Sequence, residues 1–257
     1  MFNAWLLPFE NRLVYVPSRT LTQTPADYDL PFERLELSTA DGTRIMAWAL
    51  LQENSKDAPW LIYFHGNGEN VSSYLSFTSR LYALGVNVLM PEYRGYGESG
   101  GEPSEAGLYQ DADASYQYLI DRGVAPENII VYGFSLGSGV ATDLASRKEV
   151  GGLVLEAAFT SLLDAARAIY RFVPNGIMTN RFDSISKITD VDAPVLFLHS
   201  RGDFTIPFLQ GRTLYEAANE PKTFSEIRGG HIAMVDGAVD PEGLEAIEEF
   251  LGQFKTP

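Results

Sequence analysis

The 257-residue sequence has no cysteine, only three histidines, and 19 lysines and arginines against 34 aspartates and glutamates. Without cysteine, a disulfide framework, a thiol nucleophile and a thiolate metal site are all excluded. The formal net charge of −15 repels nucleic-acid phosphates and anionic lipid surfaces, so no nucleic-acid partner is expected. The three histidines, His65, His199 and His231, are scattered and form no metal-binding spacing such as H-E-x-x-H. Neither a metal nor a cofactor is expected. The apolar start MFNAWLLPF, broken by Asn3 and Pro8, is too short to span a bilayer and lacks the basic leader of a secretory signal. The expectation is a packed N-terminal segment in a cytoplasmic protein without stable membrane insertion; a peripheral membrane contact is the alternative. Asn70-Val71-Ser72 matches a glycosylation sequon but reads as a helix start.

What is present is ordinary for a globular chain, with 45% hydrophobic and 21% charged residues. One domain over 1–257 is expected, with a small insertion at about 159–187. RLELSTADGTRIMAWALL alternates apolar and polar residues on either side of Asp41-Gly42, the pattern of a tight hairpin. After it come short buried runs: WLIYF from Trp60, VNVLM from Val86, NIIVYGF from Asn128, GLVLEA from Gly152 and PVLFLH from Pro194. Between them lie stretches with helical spacing, such as Leu108, Ala112, Tyr116, Leu119 and Ile120. Alternating strand and helix predicts a mostly parallel sheet with right-handed crossovers and the hairpin as its antiparallel edge.

VYGFSLGSGV places Ser135 directly after a strand and directly before a helix containing Leu136, Val140, Ala141 and Leu144. That is the context of a nucleophile elbow, in which a side chain at Gly133 or Gly137 would collide with the neighbouring strand or helix. A serine hydroxyl needs a general base. His231, in the glycine-rich loop after the last strand-like run KTFSEI, comes last in chain order, where the base falls when the nucleophile sits on a G-x-S-x-G elbow. The acid should lie between them at a strand's carboxyl end, and LFLHSRGDFTIP supplies Asp203. Asp190 and Asp192 precede that strand, and Asp236 follows the base. Attack on a carbonyl forms an oxyanion that needs N–H donors about 3 Å away. The expected donors are the backbones of Leu136 and of Asn67, in HGNGEN, where Gly66 and Gly68 permit close approach. His65 is expected to buttress that loop.

YFHGNGEN, MPEYRGYGESGGEPSE, VYGFSLGSG, EAAFTSLLDAA, LFLHSRGDFTIP and GGHIAM, in this order, resemble the small serine hydrolases of the α/β-hydrolase superfamily. They are most similar to proteins related to fungal bud-emergence hydrolases and mammalian depalmitoylating thioesterases. The resemblance runs from about Arg12 to Phe250. It implies an α/β-hydrolase fold, a triad of Ser135, Asp203 and His231, and an oxyanion loop at Gly66 to Gly68. Arg94 within YRGYGESGG is expected to form a structural ion pair. Many eukaryotic relatives carry a membrane helix or a lipidated, cysteine-rich N-terminus, which is not found here, so action on membrane-bound acyl proteins is not expected.

Serine rather than aspartate at the elbow argues against dehalogenase and epoxide-hydrolase chemistry and for acyl transfer to water. The expected substrate is a small acyl ester or thioester of short to medium chain. FTSLLDAARAIYRFVPNGIMTNRFDSISKI reads as a small cap, or as an irregular segment packed on the body. Phe159, Tyr170, Phe172 and Met178, with Leu162, Leu163, Ile169 and Phe182, are its candidate substrate-binding walls. A peptidase or aminopeptidase of the same fold is an alternative, with Glu156 as the candidate carboxylate for a substrate amine. A depalmitoylase-like thioesterase and a non-enzymatic binding module are the others.

Overall fold

The computed structural model describes residues 7–54, 56, 58–169, 173, 178–235 and 239–254. The hairpin pairs β2 (Phe32–Ser38), which alternates apolar and polar residues, with β3 (Arg44–Leu50), which departs from the expected alternation and is apolar and buried from Ile45 to Leu50; it closes around Gly42 at φ +82°, a conformation glycine adopts without strain. Ahead of it, α1 (Leu7–Val14) leads into the two-residue strand β1 (Val16–Pro17). The buried runs then become β4 (Trp60–Phe64), β6 (Asn87–Pro91), β7 (Ile129–Phe134), β8 (Gly152–Glu156) and β9 (Val195–Ser200). The last strand, β10 (Lys222–Ile227), is the edge. The short strand β5 (Gly68–Glu69) sits apart and pairs with β1.

The main sheet has the order β10-β9-β8-β7-β4-β6-β3-β2. The hairpin joins β6 antiparallel, and all pairings from β6 through β10 are parallel. Successive strand residues face opposite sides, so Trp60, Ile62 and Phe64 enter one core while Leu61 and Tyr63 enter the other. The first core is covered by α3 (Glu105–Asp121), α4 (Leu136–Arg147) and α7 (Phe208–Ala217); the second by α2 (Leu75–Ala83) and α8 (Pro241–Gly252). Two short helices, α5 (Leu162–Ile169) and α6 (Ser184–Lys187), belong to the segment between β8 and β9.

Asn70 caps a 3₁₀ turn over Val71–Tyr74, its side chain accepting from the Ser72 N–H, so the sequon residue serves as a helix start. Arg94 is a structural ion pair, as expected. Its guanidinium reaches Asp111 at 2.9 Å and Asp41 at 2.7 Å, tying the loop after β6 to α3 and to the hairpin.

Candidate active site

In a sheet wound in both directions, the loops at the carboxyl ends of neighbouring strands diverge at the point where strand order reverses and leave a crevice. That point lies here between β4 and β7, where Phe64 pairs with Gly133. The loop after β4 and the turn after β7 therefore emerge side by side. Ser135 occupies the turn at φ +52° and ψ −116°, a strained conformation for a residue with a side chain. Its N–H donates to the Glu156 carbonyl at 3.0 Å, which fastens the strained residue to β8. Tightness explains the flanking glycines: a Cβ on Gly133 would come within 2.3 Å of the Gly137 carbonyl, and one on Gly137 within 2.0 Å of the Phe64 carbonyl. Gly68 differs from the expectation, since a Cβ there meets nothing within 4 Å; close approach is required at Gly66, against Phe134 and Tyr74.

The side chains of Ser135, His231 and Asp203 form a hydrogen-bonded chain. Ser135 Oγ lies 2.9 Å from His231 Nε2, and His231 Nδ1 lies 2.8 Å from Asp203 Oδ2. Asp203 Oδ1 is occupied by the Thr205 and Ile206 N–H groups, each at 2.8 Å, which leaves Oδ2 for the imidazole. Burial pushes the Asp203 carboxyl up. The hydrogen bond and charge of His231, the Ile206 N–H and His199 outweigh it and hold the group below the usual carboxylate range. The His231 ring also packs on Phe134, with centroids 5.2 Å apart. The rival acids stay apart: Asp190 and Asp192 are exposed ahead of β9, and Asp236 lies outside the described residues.

Sequence reasoning set His199 aside, yet it braces this arrangement. Its Nε2 donates to the Ile206 carbonyl at 2.9 Å, and Nε2 is 3.6 Å from Asp203 Oδ2. Burial holds its pKa below the ordinary value, so it serves as a neutral donor to the acid's loop. The signal was its spacing four residues ahead of Asp203. His65 does buttress the other loop: Nε2 is 3.0 Å from Glu92 Oε1, whose partner oxygen accepts the Val71 N–H.

The backbone N–H of Leu136, next in the chain to Ser135, and that of Asn67, in the loop after β4, have no hydrogen-bond acceptor among the described residues. Leu136 begins α4, where the helix leaves its first donors free. The expected walls are placed unevenly. Phe159 is 1% exposed and Phe182 fully buried, and both pack against Gly139 of α4, where the missing side chain opens a slot. They are core residues, not an open wall. Met178 is half-buried beside that core. Tyr170 and Phe172 lie outside the described residues.

Glu156 offers nothing to a substrate amine, because it is fully buried and accepts a hydrogen bond from Tyr132 at 2.8 Å. Burial, aided by the charge of Asp203 and opposed by the Tyr132 hydrogen bond, pushes its carboxyl up to about 8. The folded state thus keeps a proton that the unfolded chain loses near 4.5. Stability from this group falls as pH rises from about 4.5 through about 8, at up to about 1.4 kcal/mol per pH unit. Glu156→Gln is expected to flatten that fall. Urea unfolding of both proteins at several pH values between 5 and 8 checks it, and parallel profiles would contradict the neutral carboxyl.

Among the described residues, no group of three or more acidic or histidine side chains could hold a metal ion, and no helix is long and apolar enough to cross a membrane. Residues 56–185 match the family described as serine aminopeptidase, S33. An uncharacterized protein of Mycobacterium tuberculosis is 34% identical over 94% of this chain and 87% of its own length. Protein bem46 of Schizosaccharomyces pombe is 34% identical over 79% of this chain and 73% of its own. Among solved structures, the Pyrococcus furiosus esterase Pf2001 superposes with a TM-score of 0.77 at 23% identity, covering 95% of this chain and 98% of that one, a likeness of fold. With its parallel sheet, antiparallel hairpin and flanking helices, the chain belongs to the serine aminopeptidase S33 family of α/β hydrolases and is an enzyme of the hydrolase type.

Proposed function

We propose that the whole chain works as one serine hydrolase domain that cleaves carboxylic esters and thioesters through an acyl-enzyme on Ser135. The observation that carries this reading is the Ser135–His231–Asp203 chain of hydrogen bonds at 2.9 and 2.8 Å. Ser135 Oγ attacks the acyl carbon while His231 Nε2 takes its proton, and Asp203 stabilises the imidazolium that forms. The oxyanion rests on the Leu136 and Asn67 N–H groups. His231 returns the proton to the leaving alcohol or thiol as the ester bond breaks. A water then attacks the acyl-enzyme by the same route, releasing the acid and restoring Ser135.

Intact-mass analysis after fluorophosphonate treatment tests this. One adduct is expected on the wild type and none on Ser135→Ala; an adduct that persists on the variant refutes the nucleophile. An amide-cleaving aminopeptidase would need an accessible carboxylate for the substrate amine, and Glu156 is fully buried and bound by Tyr132.

Short to medium acyl chains fit this reading, because Phe159 and Phe182 are buried against α4 and leave no open wall there for a long chain. Each methylene enclosed by the pocket gains about 0.8 kcal/mol, about fourfold in kcat/KM. Across p-nitrophenyl esters, kcat/KM is expected to rise and then level off or fall within about eight carbons. A series still climbing at palmitate would favour a depalmitoylase-like enzyme.

A further inference from the structure

Asn67 sits on an exposed loop, yet it is held from two sides by the N-terminal segment. Its side-chain Nδ2 donates to the Val14 carbonyl at 3.0 Å, and its own carbonyl accepts from the Val16 N–H at 3.1 Å and from Tyr96 Oη at 2.8 Å. The pairing continues along the chain, with Val16 opposite Gly68, Pro17 opposite Glu69, and the Ser18 N–H donating to the Glu69 carbonyl at 2.9 Å. Nδ2 and the carbonyl of Asn67 are thus committed, and its backbone N–H has no acceptor among the described residues.

One helical turn earlier, the same segment grips the insertion between β8 and β9. Glu10, 8% exposed, accepts hydrogen bonds from the Thr179 N–H and hydroxyl and from the Asn180 N–H and Nδ2. Asn11 Oδ1 accepts from Asn180 Nδ2 at 2.8 Å, and the Tyr15 hydroxyl donates to Asn180 Oδ1 at 2.9 Å. Charge-assisted bonds of this kind are the strong ones. Burial raises the Glu10 carboxyl, but the Thr179 and Asn180 bonds outweigh it and hold the group below the ordinary carboxylate value.

We propose that Glu10 to Val16 is a positioning strap that aims the Asn67 N–H at the oxyanion and, through Glu10, couples that donor to Thr179–Asn180. The inference rests on the reading of Asn67 as an oxyanion donor. An oxyanion donor acts only when it is already in place as charge develops, and a shift of about 1 Å costs much of its effect. The Tyr96 hydroxyl and His65 hold this exposed loop from the body of the protein; the strap adds the tie to the Asn67 side chain and a second bond to its carbonyl. Movement of the insertion would then reach the oxyanion donor directly through α1.

The test uses three variants of the full chain, with p-nitrophenyl butyrate as substrate. Asn67→Ala keeps the backbone N–H but removes its tie to Val14, and kcat is expected to fall about tenfold or more with KM nearly unchanged. Glu10→Gln keeps the side chain's shape but turns one acceptor into a donor facing Thr179 and Asn180, and kcat is expected to fall severalfold in the same way. The double variant is expected to be no slower than Asn67→Ala alone, because both changes break one coupling. Losses that multiply, or a lower Tm with kcat intact, overturn the strap. Should Glu10→Gln fail to fold, Tyr15→Phe removes a single bond to Asn180 and takes its place in the same comparison. Fluorophosphonate labelling separates the two readings. If the wild type and the variants all label at Ser135 while the kcat pattern fails, the strap alone is wrong; if the wild type does not label, the site reading falls and takes the strap with it.

Discussion

His231→Ala is expected to lower kcat for ester hydrolysis by about 10⁴- to 10⁶-fold, with a smaller change in KM. Among the described residues, the imidazole is the one group within hydrogen-bonding reach of Ser135 Oγ that can take its proton, at 2.9 Å. Without it the hydroxyl must attack as a neutral nucleophile, and Asp203 is left with no ring to orient. Residual turnover above water should persist, because the Leu136 and Asn67 N–H groups remain. Ser135→Ala combined with His231→Ala should be about as slow as either single variant, since the three residues act as a unit. Asp203→Asn should cost about 10⁴-fold, because the carboxylate that fixes the ring and stabilises its charge is lost. Steady-state kinetics of the single and double variants decide the matter: a His231→Ala enzyme near wild-type rate, or losses that multiply, would place the base elsewhere.

Gly137→Ala is expected to give the largest stability loss of any single methyl addition near the site. Its Cβ would lie 2.0 Å from the Phe64 carbonyl and 2.8 Å from that of His65, and both obstacles are backbone. Helix α4 must therefore move away from β4. Overpacking of this kind costs about 3 kcal/mol or more, a fall of about 6 to 12 °C in Tm for a chain of this size. Activity should fall with it, because α4 carries the Leu136 N–H next to Ser135. Gly68→Ala is the control. Its Cβ meets open space, and its effect on stability should stay within about 0.5 kcal/mol. Thermal melts of the two variants would contradict the packing argument if they were alike.

The elbow was legible before any coordinates because its cause is local. A strand must turn into a helix within one residue, and only glycines at both flanks leave room. Chain order then selected His231 and Asp203 from a short menu of three histidines and a few carboxylates. The insertion was less legible. Phe159 and Phe182 looked like walls because large apolar residues in an irregular segment suit either a pocket or a core. The missing side chain of Gly139, on a different element, decides for the core. Glu156 looked like a ligand for an amine, and its burial against Tyr132 turns it into a neutral structural acid.

The sequence by itself determined the main buried strands and the tight turn at Ser135, since each of these is set by neighbours within a few residues, and chain order pointed to Asp203 and His231 as its partners. Only the tertiary structure decided which N–H groups stay free, which aromatics are buried, and that Glu10 meets Asn180 across 170 positions of chain. The physical reason is that burial and hydrogen-bond satisfaction are properties of surroundings assembled from distant segments. A glutamate in an N-terminal helix and an asparagine two residues after a half-buried methionine carry no local mark of each other, and only the folded chain brings them within 2.8 Å.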